Sequence, residues 1–69
     1  MISTILIDGV IKLIQVVRYS KKPATARVYV PGAKVPEKVL QASKYDDNRF
    51  IDDETCKEYR LTRTGMVAI

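Results

Sequence analysis
The chain has no histidine, no tryptophan, one phenylalanine and one cysteine in 69 residues. Without histidine the commonest general base is missing, together with the imidazole ligands of most zinc sites. A lone Cys56 can form no disulfide within the chain and complete no Cys/His metal set, so nothing here requires an oxidising compartment. Glycine is also scarce. Gly9, Gly32 and Gly65 are isolated, and no glycine-rich loop is available to cradle a phosphate. These absences predict a protein that is not an enzyme, with no catalytic residues, no metal and no cofactor.

What remains is 46% hydrophobic and 29% charged, a balance that predicts a globular chain. Residues 1–69 make a single domain with no room for a second core. So small a domain relies on its core, or on an oligomer partner, for stability. The apolar run at the start is broken by Asp8, Lys12, Gln15 and Arg18, and no small-residue cleavage site follows it. That predicts neither signal peptide nor anchor, and a cytoplasmic protein without a membrane partner. No internal repeat or low-complexity linker is present.

At 100° per residue, Ile2, Ile5, Leu6, Val10, Leu13, Ile14, Val16 and Val17 fall on one face, with Ile11 misplaced. The arc favours an amphipathic helix over about 3–19, capped by Ser3 or Thr4, with Gly9 toward its buried side. A competing reading takes Asp8-Gly9 as a type I′ hairpin turn between strands Thr4–Ile7 and Val10–Tyr19. Adjacent apolar pairs such as Leu13-Ile14 suit that reading only if the strand is buried on both sides. After the polar break Ser20–Pro23, the segment Ala24–Val30 prefers strand locally, and Pro31-Gly32 ends it. Pro36, Glu37, Val39 and Leu40 predict a second helix over 36–44. Tyr59 and Leu61 alternate with Arg60 and Thr62, a strand pattern closed by Thr62 and Gly65.

The stretch Glu58-Tyr59-Arg60-Leu61-Thr62-Arg63-Thr64-Gly65 resembles the end of the wing in winged helix-turn-helix regulators. Lys34-Val35-Pro36-Glu37-Lys38-Val39-Leu40 is similar to the start of the recognition helix in some winged-helix repressors. The resemblance implies an α+β fold: a small winged-helix-like domain with an N-terminal amphipathic helix, a second helix at 36–44 and a C-terminal β-hairpin. Helix one would then pack on the second helix and on Val28, Val30, Phe50, Ile51, Tyr59 and Leu61. The fold would prefer a short helix at 24–30, or a short strand followed by one, in conflict with the local strand pattern.

Charge is uneven. Residues 1–44 carry eight basic residues against two acidic, and residues 45–69 carry four against six. A basic half suits phosphate binding, because each neutralised phosphate releases condensed counterions. The resemblance and the charge together imply a small transcription regulator that binds double-stranded DNA, acting as a homodimer. Lys34, Lys38, Gln41 and Lys44 would lie on or beside the recognition helix, with Gln41 reading adenine. Lys21, Lys22, Arg60 and Arg63 would clamp the backbone.

The acidic cluster Asp46, Asp47, Asp52, Asp53 and Glu54 opposes that role if it lies near a groove. Its spacing lacks the alternating ligands, central glycine and terminal glutamate of a calcium loop. The alternative it suggests is a small phage-type inhibitor that uses these carboxylates to bind a host enzyme such as RNA polymerase, without catalytic activity of its own. A projecting acidic segment beside an apolar patch would favour the protein partner; a continuous basic face would favour nucleic acid. A third reading is a small β-barrel built on the Asp8-Gly9 hairpin. Cys56 reads as a small half-buried strand residue, and Tyr19, Tyr29 and Tyr45 as core or rim residues. No aromatic-basic interleaving is visible along the chain, so a single-strand platform is not expected.

Overall fold
In a computed structural model that describes residues 2–69, seven strands form a closed barrel. They are β1 (Ile2–Ile7), β2 (Val10–Val17), β3 (Thr25–Tyr29), β4 (Lys38–Ala42), β5 (Arg49–Ile51), β6 (Glu58–Thr62) and β7 (Gly65–Ala68). Each strand pairs antiparallel with the next. The ring closes where β7 lies parallel to β1, through the single pair Ile5↔Met66. No helix occurs among the described residues, so the α+β winged-helix reading is wrong for this chain.

The N-terminal correction has a clear cause. Asp8 and Gly9 take φ of 51° and 78°, the two left-handed residues that a type I′ turn requires and a helix forbids. Ile7↔Val10 and Leu6↔Ile11 then pair across the turn. Inward positions Ile5, Ile7, Ile14 and Val16 are buried, while Ile2, Leu6, Ile11 and Leu13 point out and are exposed. Apolar residues on both sides of two strands imitate a helical arc, because a 100° wheel cannot separate a two-faced apolar strand from a wide helical face. The run at 36–44 fails for a related reason. Lys38, Leu40 and Ala42 face inward and Val39 and Gln41 outward, and Glu37 N–H already donates to Val28 O at 2.7 Å as pairing with β3 begins.

The core alternates large and small side chains. Phe50 faces Ala42 on one neighbour and Tyr59 on the other, and Ala26 faces Leu40. Ala24, Ala26 and Ala42 leave the volume that Phe50, Ile14 and Met66 occupy. Val28, Phe50 and Tyr59 are core residues as the sequence reading placed them, but Val30 is exposed and Ile51 only half-buried. Leu40→Ala should therefore cost about 2–5 kcal/mol, whereas Leu13→Ala in dilute solution should cost less than about 1 kcal/mol. Urea midpoints of the two variants measure the difference. Equal losses would mean that Leu13 faces inward.

The meander gives the barrel two distinct ends. Connections β2–β3, β4–β5 and β6–β7 share one; β1–β2, β3–β4 and β5–β6 share the other.

Candidate functional site
The polar break Ser20–Pro23 and the short connection after Ala42 are far apart in sequence but share one barrel end. Because β3 and β4 form a hairpin between them, residues 18–24 and 43–48 come face to face. Ala42 N–H donates to Ala24 O at 2.9 Å, which fixes the base of the two loops. Arg18 ties their outer parts: its guanidinium donates to Asp47 O at 3.3 Å and to Asn48 Oδ1 at 3.1 Å. Between the loops lies an open cleft of about 470 Å³, lined by Tyr19, Ser20, Lys21, Lys22, Pro23, Ser43, Lys44 and Asp47.

The cleft is basic and aromatic. Lys22 Nζ stands 4.3 Å from the centroid of the Tyr19 ring, and the Tyr19 hydroxyl lies 3.4 Å from Thr25 Oγ1. Tyr45, next to Lys44, is 96% exposed, an aromatic ring with nothing to bury against. Among the described residues, Arg18, Lys21, Lys22, Lys44 and Arg63 share this end with two side-chain carboxylates, Asp46 and Asp47. Asp46 lies 3.9 Å from Arg60, whereas Lys21, Lys22, Lys44 and Arg63 have no carboxylate within 4.0 Å among the described residues.

Comparison of the chain with protein-family models, with curated proteins and with solved structures gave no match.

The predicted DNA-contacting set does not form one face. Lys21, Lys22 and Lys44 converge on the cleft and Arg63 lies at the same end. Lys34 is exposed on the β3–β4 connection at the opposite end, and Gln41 is on the outer surface of β4 between Thr25 and Ile51. Arg60 is outside β6, opposite Arg49 and Val67. Lys38 is committed elsewhere: its ammonium donates to Asp52 Oδ2 at 2.7 Å. No recognition helix exists for Lys34, Lys38, Gln41 and Lys44 to share.

The acidic run is likewise divided. Strand β5 separates Asp46 and Asp47 from Asp52, Asp53 and Glu54, which lie at the other end of the barrel. Asp52 is 2% exposed and structural: besides Lys38 it accepts from the Glu54 N–H at 3.0 Å. The hydrogen bond from Lys38 holds its carboxyl below the usual range against the opposing effect of burial, and the same bond raises the Lys38 pKa. At that far end Lys57 pairs with Asp8 at 3.3 Å and Lys12 with Glu37, so several charges there are matched. Among the described residues no group of three or more His, Cys, Asp or Glu side chains could hold a metal, and no helix is long and apolar enough to cross a membrane.

Arg18, Tyr19 and Tyr45 were not among the candidate site residues, and the structure sets them at this end. Their signal was present but split: Tyr19-Ser20-Lys21-Lys22 and Ser43-Lys44-Tyr45 each place an aromatic beside lysine, and only the β3–β4 hairpin unites them. Cys56 is no half-buried strand residue; it is exposed on the β5–β6 connection with φ of 60°.

Proposed function
We propose that this barrel binds single-stranded nucleic acid at the end formed by the β2–β3 and β4–β5 connections. The observation that carries the reading is the convergence of Lys21, Lys22, Lys44 and the Tyr19 ring on one open cleft, with the exposed Tyr45 next to Lys44 in the chain. Unmatched ammonium groups hold phosphates, and exposed rings stack on unpaired bases; the combination tolerates any base sequence. The major groove of duplex DNA admits a helix or a two-stranded ribbon, whereas this cleft is lined by the β2–β3 and β4–β5 connections. A strand without a complementary partner can instead lay its bases on Tyr19 and Tyr45 while its backbone follows the lysines. The division of the acidic run between the two ends weighs against a carboxylate surface for a basic protein.

Anisotropy of a labelled oligothymidylate tests this. Affinity should fall with salt, each phosphate contact contributing about −0.7 to the log–log slope. Lys21→Ala, Lys22→Ala and Lys44→Ala should each flatten the slope by about one contact. Tyr45→Ala should weaken binding by about 1–3 kcal/mol and leave the slope nearly unchanged. Gln41→Ala, on the outer wall, should have no effect. Tighter binding to duplex than to single strand, or no binding at low salt, would reject the proposal.

A further inference from the structure
We infer that two copies of this chain associate face to face through the outer surface of β7, β1 and β2. Five outward side chains form it: Ile2 is 74% exposed, Leu6 56%, Ile11 62%, Leu13 38% and Val67 48%. Register makes them contiguous. Leu6 pairs with Ile11 and Thr4 with Leu13 across β1–β2, and the Ile5↔Met66 pair sets Val67 beside Leu6 across the seam. The other outward positions on these three strands are uncharged, in a chain that is 29% charged. The remaining wall is different: it carries Arg27, Arg49, Glu58 and Arg60.

Size and charge point to a second copy as the occupant. The barrel measures 31 × 25 × 24 Å, so one side presents on the order of 700 Å², close to the roughly 800 Å² per partner of a standard interface. The protein carries a net +4, and an uncharged face brings two copies together without opposing like charges and is complementary to itself about a two-fold axis. A closed barrel has no free strand edge to extend, which leaves sheet-on-sheet packing as the mode of contact. The face also spans the β1–β7 closure, which a single residue pair holds and a docked copy would cover.

Sedimentation equilibrium of the full chain over micromolar to millimolar concentration tests the proposal. The expected result is a monomer–dimer equilibrium. Ile11→Lys should raise its dissociation constant by about a hundredfold or more, as for a central interface residue. Val39→Lys, exposed on β4 outside the face, should leave the equilibrium unchanged. A wild-type monomer at every concentration, or a dimer insensitive to Ile11→Lys or disrupted by Val39→Lys, overturns it. Should Ile11→Lys fail to fold, amide shifts of the wild-type chain on dilution decide the matter. Shifts confined to β1, β2 and β7 support the dimer, and shifts at the Lys21–Lys44 cleft or nowhere overturn it. Oligothymidylate binding by the monomeric variant is a separate readout, so loss of one result leaves the other standing.

Discussion

Gly65→Ala is expected to be the most damaging single-methyl change in the chain. Gly65 has φ of 144°, a backbone conformation that L side chains rarely adopt, and a Cβ there would lie 2.8 Å from the Thr4 carbonyl oxygen and 2.9 Å from Thr4 Oγ1. The obstacle is backbone, so it cannot rotate away. Strain at the dihedral and overpacking at the seam together should cost about 3–5 kcal/mol. A domain of this size has a total stability on the order of 3–10 kcal/mol, so the variant should be largely unfolded or have a much lower urea midpoint. Thr4→Ala added to Gly65→Ala removes the hydroxyl contact but not the carbonyl one, and should restore only part of the loss. A Gly65→Ala variant as stable as wild type would show that β7 does not close on β1.

Asp52→Ala should cost about 3 kcal/mol or more, because it removes the partner of Lys38 and the acceptor of a turn N–H at once. Asp52→Asn should be milder, since an amide oxygen can still accept from the Glu54 N–H. The pH dependence identifies the pair. The Asp52 pKa is lowered by the fold, so its contribution is present above the unfolded value of about 3.9 and is lost as pH falls through the lower folded value. The Lys38 pKa is raised, so its share is present below about 10.4 and is lost as pH rises through the folded value. Stability from this pair therefore spans neutral pH and declines only at the acid and alkaline limits. Denaturant titrations between pH 6 and pH 2 should show a shallower acid loss for Asp52→Asn than for wild type. An unchanged profile would remove Asp52 from this role.

Much of the barrel was legible, element by element, in residues already singled out. The alternation of Tyr59 and Leu61 with Arg60 and Thr62 is strand β6, and the local strand preference around Arg27, Val28 and Tyr29 is β3. The turn at Asp8-Gly9 carried the N-terminal answer, but the apolar arc outweighed it. That arc arose because Ile2, Leu6 and Leu13 occupy outward positions where a solvated strand would place polar groups. An apolar outer face is thus both the reason for the helical misreading and the reason to expect a partner there. Pro36 and Glu37 likewise open a strand where helix-start chemistry suggested otherwise, since pairing to Val28 overrides local preference. The cleft was hidden for a topological reason. Lysines 21, 22 and 44 were candidates from charge and the winged-helix resemblance, but their grouping with Tyr19 depends on the hairpin between them. Lys38 and Asp52 were read as surface charges because no one-dimensional pattern announces a buried pair.

The parallel seam between the first and last strands also governs when the barrel can form. Pairing Ile5 with Met66 joins residues separated by nearly the whole described chain, the most non-local contact the topology permits. Loop-closure entropy must be overcome before that contact stabilises anything, so ring closure belongs late in folding. During synthesis, β1 to β6 emerge as an open, curled sheet whose two edges stay unpaired until β7 leaves the ribosome. Until then β1 offers its free backbone edge, beside the apolar Ile2 and Leu6, to any neighbouring strand. The interval before closure is therefore when this chain is most exposed to misassembly with its own copies.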